Sequence, residues 1–224
     1  MAVDLKPSDP FFLFGRPKVW LPPPWHTSDD RVRGGSSRSS LSVLPSNCAL
    51  FEGHLDIDTL GGAGFASQFQ SAAPHNDGSN SENDGIWDLS AYKGIEVDVG
   101  AGDGKVYTLI LKNEEAQDKR EDGREKAGIN WEADFRVNNG GENPTGEEAV
   151  GKKVWVAWSD LKPTYRGKKK EDAGEFKPGE IRRIGFMMRS FFGTQQGDFR
   201  LELRSITARK LASEGADTTV NIQE

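Results

Sequence analysis

Between residues 48 and about 208 the chain is written in short apolar runs that alternate with polar residues, the period of a half-buried strand. Trp131, Ala133, Phe135 and Val137 alternate with Glu132, Asp134, Arg136 and Asn138, the cleanest period of two in the sequence. Ile95-Glu96-Val97-Asp98-Val99 places apolar side chains on one face and acids on the other. Gly102-Asp103-Gly104 then predicts a tight turn into 106–111, completing a hairpin. Val154-Trp155-Val156-Ala157-Trp158 predicts a strand buried on both faces. Ile184-Gly185-Phe186-Met187-Met188 and Phe199-Arg200-Leu201-Glu202-Leu203 close the series. The alternation slips at Ser205, where Ile206 and Ala208 carry the apolar face onward, so a β-bulge is expected there. No segment sustains a helical period. Short strands divided by Gly, Pro, Asn and Asp clusters predict an all-β sandwich of two packed antiparallel sheets, with long charged loops at 75–85, 113–128 and 168–180.

Residues 1–47 read as an extended N-terminal arm. Pro22-Pro23-Pro24 forces an extended backbone, while Phe11, Phe12, Phe14, Trp20 and Trp25 are too aromatic for a solvated tail, so the arm should lie along the folded body. The expected organisation is therefore an arm over 1–47, a sandwich over 48–210 and a frayed polar tail over 211–224. A net charge of −6 argues against sequence-independent binding to nucleic acid, and no apolar run approaches the roughly 18 residues of a membrane span. Cys48 is the only cysteine and no usable Asn-x-Ser/Thr sequon occurs, so a reducing compartment is expected. The N-terminus makes a poor mitochondrial presequence, since Asp4, Asp9 and three prolines interrupt it.

A search for catalytic chemistry finds little. The stretch from Gly146 to Lys153 is one residue short of a phosphate-binding loop, with Lys153 where a magnesium-holding hydroxyl belongs and a strand-like segment in place of the helix. There is no Gly-x-Ser-x-Gly elbow, and His26, His54 and His75 have no motif tying them to Cys48 or a serine. No His/Cys spacing resembles a metal site, and the acids at 29–30 and 77–84 lack the graded spacing of a calcium loop. Paired glycosidase acids act by spatial separation, which a sequence does not display. The expectation is a protein that is not an enzyme and that carries no metal and no cofactor.

Seven ordered blocks then stand out: Asp29-Asp30-Arg31-Val32-Arg33-Gly34-Gly35-Ser36-Ser37-Arg38-Ser39; Phe51-Glu52-Gly53-His54-Leu55; Gly61-Gly62-Ala63-Gly64-Phe65-Ala66-Ser67; Trp87-Asp88-Leu89-Ser90-Ala91-Tyr92-Lys93-Gly94-Ile95; Lys162-Pro163-Thr164-Tyr165-Arg166-Gly167; Arg183-Ile184-Gly185-Phe186-Met187 with Arg189-Ser190; and Gly197-Asp198-Phe199 through Leu203, Ser205 and Ile206. Over about residues 25–208 the chain resembles the complex I intermediate-associated protein 30 family, which includes a mitochondrial assembly factor for respiratory NADH:ubiquinone oxidoreductase. The resemblance implies a galactose-binding-like jelly roll. It also implies a non-catalytic chaperone role in building the membrane arm of complex I, at the matrix face of the inner membrane. The partners it implies are membrane-arm subunits and other assembly factors, with peripheral contact to the inner membrane. The unconvincing presequence keeps a second expectation open: a carbohydrate- or protein-binding module of the same fold in the cytosol.

Within these blocks the glycines at 34, 35, 61, 62 and 64 read as turn and close-packing positions, and Trp87, Trp131 and Trp158 as core. Asp29, Asp30, Arg31 and Arg33 admit two readings, a buried ion network pinning the arm or a surface that meets a partner. Lys162, Tyr165 and Arg166 read as a partner-contacting loop, as do Arg189, Phe191 and Phe192. Phe11, Phe12, Phe14, Arg16, Lys18 and Trp20 combine aromatics with cations in a way that suits a membrane interface or an apolar partner; the other reading folds those rings back over one sheet.

Overall fold

The computed structural model describes residues 10–20, 25–72, 85–114, 127–137, 152–213 and 215–218. Its strands, in chain order, are β1 (Phe11–Gly15), β2 (His26–Thr27), β3 (Arg38–Leu44), β4 (Cys48–Leu55), β5 (Phe65–Ser71), β6 (Gly94–Gly102) and β7 (Val106–Lys112), followed by β8 (Asn130–Arg136), β9 (Lys152–Ala157), β10 (Lys162–Tyr165), β11 (Lys168–Lys169), β12 (Arg183–Arg189), β13 (Gly197–Arg209) and β14 (Asp217–Thr218). They form two seven-stranded sheets. Sheet A runs β14-β9-β6-β13-β4-β3, with β1 joined to β13; sheet B runs β11-β10-β8-β7-β12-β5-β2. All pairings are antiparallel except β14 on β9. Helix among the described residues is confined to three 3-10 turns, at Asp30–Arg33, Trp158–Asp160 and Pro178–Glu180.

The core lies between the sheets and is built from the residues the alternation points inward. Trp131, Ala133, Phe135, Tyr107, Leu109, Leu111, Ile184, Phe186 and Met188 come from sheet B; Phe51, Ile95, Val97, Val99, Val154, Val156, Leu201 and Leu203 come from sheet A. Phe51, Tyr107, Phe135, Phe186 and Phe199 form one aromatic cluster across the interface, with centroids 5.1–6.5 Å apart. The bulge expected at Ser205 is present: the register of β13 against β6 shifts between Leu203 and Ser205, and Ile206 and Ala208 beyond it are fully buried.

Two local expectations fail, each for a reason of topology. The segment after β6 does not return as a hairpin. Gly102–Gly104 is an arch that carries the chain from sheet A to sheet B, where β7 pairs with β8 and β12. Asp103 holds the arch by accepting bonds from the Lys105 and Arg200 backbone N–H groups and from the Tyr107 hydroxyl (2.9 Å). Burial, with that carboxylate next to it, pushes the Tyr107 phenol far above its ordinary pKa. Likewise, β9 is buried on one face only: Val154 and Val156 are core, whereas Trp155, Ala157 and Trp158 are half-buried.

The sandwich also starts before Cys48, because β3 and β4 form a hairpin whose turn includes Asn47 at φ 58. Upstream of it, the extended segment enters both sheets. β1 pairs with the stretch of β13 from Ser205 to Ala208, which β4 is too short to reach, and β2 pairs with β5 at the edge of sheet B. At the C-terminal end, Asp217 and Thr218 pair with β9 rather than fraying. The loop expected over 168–180 contains β11 and a 3-10 turn.

Two substitutions test this packing. Phe135 is 1% exposed, so Phe135→Asp should abolish the cooperative thermal transition in circular dichroism, an unpaired buried charge costing several kcal/mol against a total stability of about 5–15 kcal/mol. Trp20 is equally buried, so Trp20→Ala should destabilise the protein by about 3–5 kcal/mol in urea melts.

Candidate functional site

Asp29 and Asp30 open the short 3-10 turn, and both carboxylates face inward, 2% and 1% exposed. Asp30 accepts bonds from the backbone N–H and hydroxyl of Ser37 and from the backbone N–H of Phe65 (3.1 Å). Asp29 accepts bonds from the N–H and hydroxyl of Ser39 (3.1 and 2.8 Å) and from the N–H of Ser67 (3.0 Å), and Arg31 closes its remaining side at 3.0 Å. Gly35 must be glycine here, since a Cβ would overlap the Asp30 carboxylate. Of the two readings of this block the buried one fits. The network is mainly carboxylate to N–H and hydroxyl, and it ties β3 of sheet A to β5 of sheet B. Two carboxylates this deep offer nothing to a partner; Arg31 and Arg33 remain outside.

The N-terminal aromatics are packing groups as well. Phe14 meets Trp20, Trp25 and Trp87 at 5.5–5.8 Å. Trp20 donates its indole N–H to the Arg204 carbonyl at 3.0 Å. Phe11 packs on the core and Phe12 is half-buried, while the Lys18 ammonium donates to the Phe12 carbonyl at 2.9 Å. Arg16 donates to the Ser46 carbonyl. The rings thus fold back over the sandwich, leaving Arg16, Lys18 and Val19 outside.

On the outer face of sheet B, turned away from the core, the polar half of the β8 alternation is gathered by one arginine. Arg189 donates from Nη1 to Glu132 at 3.1 Å and from Nη2 to both carboxylate oxygens of Asp134 at 3.0 and 2.7 Å. Thr108 donates to Asp134 at 2.6 Å, Thr164 to Glu132 at 2.8 Å and Asn130 to Glu132 at 3.0 Å. Glu132 is only 3% exposed, though the alternation marks it as a solvent position. Arg189 Nε and Asn130 Oδ1 are buried without hydrogen-bond partners. The same guanidinium stacks on Phe191 at 4.5 Å, and Arg33 and Arg183 stack on Phe65 and Phe69 at 5.5 and 4.8 Å. Strand pairing sets Phe65 directly opposite Arg189. Arg33, Arg189, Phe191 and Phe192 therefore share one end of sheet B.

Lys162, Tyr165 and Arg166 lie elsewhere, on β10 and the tight turn into β11, at the opposite end of the sheet and three strands across. That segment is a hairpin rather than a loop, its turn made by Arg166 and Gly167 at φ 53 and 78. Glu132, Asp134, Thr108 and Thr164 were not candidates from sequence, because nothing in a strand's alternation says that its polar face will be covered.

Lys152 and Lys153 are in strand β9, with Lys153 3.6 Å from Glu96; the preceding part of the loop-like stretch, His75 and the acids at 77–84 lie outside the described residues. His54 pairs with Asp198 at 2.7 Å and holds its carboxyl below the ordinary range. Burial raises the Cys48 thiol, which donates to the Ser46 carbonyl. No group of three or more His, Cys, Asp or Glu among the described residues is arranged to hold a metal ion.

This architecture is a jelly-roll β-sandwich of two antiparallel sheets. It superposes on the family 11 carbohydrate-binding module of the Clostridium thermocellum cellulase Lic26A-Cel5E with a TM-score of 0.55 and 14% identity, over 92% of this chain and 98% of that one. The same module in complex with a β-1,3-1,4-mixed-linked tetrasaccharide gives a TM-score of 0.56 and 13% identity, over 92% and 99% of the two chains. Identity so low shows a shared fold. Kinship is carried by sequence. Residues 12–203 match the complex I intermediate-associated protein 30 (CIA30) family, and the chain belongs to it. A Schizosaccharomyces pombe relative, "Uncharacterized protein C9E9.15", is 38% identical over 200 residues, 88% of this chain and 82% of the relative.

The buried carboxylates carry the prediction for this site. Asp30→Ala leaves the backbone N–H groups of Ser37 and Phe65 without an acceptor and the Ser37 hydroxyl with only the Asp56 carbonyl, and should lower stability by about 3 kcal/mol in urea melts, with a faster loss of amide protection in β3 and β5 than in β6.

Proposed function

We propose that this chain is a non-catalytic assembly factor for mitochondrial respiratory complex I, which holds membrane-arm subunits at the matrix face of the inner membrane until they are joined. The observation that carries the reading is membership of the CIA30 family across residues 12–203. The chemistry of the site agrees with a binding role. Its acids and bases are spent on one another, Glu132 and Asp134 on Arg189, and Asp29 and Asp30 on serines and backbone N–H groups. What the frame has to offer a partner is surface: the Arg33–Phe65–Arg189–Phe191 row at one end of sheet B, and the cationic β10–β11 hairpin at the other.

A second reading, a carbohydrate-binding module in the cytosol, draws on Phe65, Phe69 and Phe191, three half-buried rings on or beside the outer face of sheet B in a fold shared with carbohydrate-binding modules. Each of those rings already carries an arginine where a sugar would stack, so this reading ranks second.

Affinity purification of the full chain, with fractionation of mitochondria and native gels of complex I, separates the two. Membrane-arm subunits should co-purify with it from the mitochondrial fraction, and its removal should stall complex I at a membrane-arm intermediate. A wholly cytosolic set of partners with normal complex I overturns the proposal. Calorimetric binding of a mixed-linked β-glucan tetrasaccharide would then favour the module.

A further inference from the structure

The most unusual backbone among the described residues follows β12. Phe191, Phe192 and Gly193 adopt φ 44, 56 and 88 in succession. Left-handed geometry is ordinary for the glycine and strained for two consecutive bulky aromatics, whose side chains crowd the backbone there. The surroundings enforce it. The Ser190 carbonyl accepts the backbone N–H groups of Gly193 (3.0 Å), Thr194 (2.9 Å) and Gln195 (3.3 Å). Ser190 itself is buried and exchanges two bonds with Gly64, N–H to carbonyl at 2.9 Å and Gly64 N–H to hydroxyl at 3.1 Å. The Gln195 amide clamps the other side, pairing with both backbone groups of Val106 (3.0 and 2.9 Å) and donating to the Arg189 carbonyl at 2.7 Å. Phe191 is held by the Arg189 guanidinium. All of this positions one ring, Phe192, which is 87% exposed, the most exposed large apolar side chain among the described residues.

A rigid, strained turn that presents a lone aromatic to water is not explained by packing, since the fold gains nothing from that ring. We infer that Phe192 is a preformed anchor that inserts into a ring-sized apolar recess on a protein partner. Two features select a protein over a bilayer. The apolar surface is one ring wide, whereas even a whole myristoyl chain binds membranes only marginally and reversibly. Protein interfaces, by contrast, concentrate their energy in a few preorganised aromatic anchors. The edge of the recess should be acidic: Arg33, exposed and without a carboxylate partner among the described residues, lies over Phe65 beside the turn, and Arg31 next to it is 58% exposed. The inference rests on the binding role proposed above and adds to it the contact residue and the shape of its receptor.

The test uses the full chain in living cells with Phe192→p-benzoylphenylalanine, irradiated and analysed for adducts by mass spectrometry, with Val43→p-benzoylphenylalanine on β3 as the exposed control. We expect adducts from position 192 to one identified protein that position 43 does not label. Co-purification of that protein with the native chain should fall at least about thirtyfold on Phe192→Ala. Phe192→Gly should lose the partner equally without lowering the melting temperature, because glycine accepts the left-handed geometry; a side chain needed for folding would behave the opposite way. Lipid adducts, identical adducts from both positions, no adduct, or co-purification indifferent to Phe192→Ala each overturn the anchor. If the labelled protein is neither a complex I subunit nor an assembly factor, the anchor stands and the assembly role fails. If complex I subunits purify undiminished with Phe192→Ala, the assembly role stands and the anchor fails.

Discussion

The closure of this sandwich at one edge depends on two adjacent buried carboxylates. Two sheets stacked face to face need only apolar contact to stay together, but apolar contact does not say where one edge ends relative to the other. Asp29 and Asp30 supply that by drawing N–H groups and hydroxyls from β3 in sheet A and from β5 in sheet B onto two neighbouring side chains. Buried carboxylates lose hydration and tolerate that only when their lone pairs are filled, so the donors must be delivered at fixed positions. Ser37, Ser39, Ser67 and the gap left by Gly35 meet that demand. The arrangement also seats the 3-10 turn that puts Arg31 and Arg33 on the outside.

Arg189 imposes a comparable constraint on the outer face of sheet B. One guanidinium faces two carboxylates across three strands, with Thr108, Thr164 and Asn130 completing the set. Such a buried network is weak evidence of net stability, because desolvation offsets much of the attraction. Its effect here is on register: a one-residue slip of β8 would turn Glu132 and Asp134 into the core and leave Arg189 unpaired. Locking this end of the sheet also fixes the backbone from which the strained Phe191–Phe192 turn departs. A rigid frame beneath the turn is what lets one exposed ring be held in place rather than fold onto the surface.

The alternation of apolar and polar residues was enough to read the fold class, the strands of the core and the bulge at Ser205, because each follows from which side of a strand meets water. The candidate site was only half legible. Arg189, Phe191 and Phe192 were recognisable as cations and aromatics at a strand end, and the acids of β8 as the polar half of an alternation. Their union was not, since Arg189 and Glu132 are 57 residues apart and meet only once β7 is laid between them. The N-terminal rings show the converse. Their composition suits a membrane interface equally well, and only the vacancy beside β13, where β4 ends, decides that they are packing groups.

By itself, then, the sequence determined the local decisions: which residues face inward, where strands break, which glycines admit a turn, and through its ordered blocks the family to which the chain belongs. Tertiary structure alone decided the partners of those local elements. Gly102–Gly104 has the composition of a hairpin turn and becomes an arch between sheets, because the fold places the next strand against β8 and β12. Asp29 and Asp30 have the composition of a surface and become a buried staple, because β3 and β5 surround them with donors. The physical reason is common to both. Periodicity reports the environment of a residue along one strand, whereas pairing, burial of a polar face and strain at a turn depend on what distant segments bring to the same place.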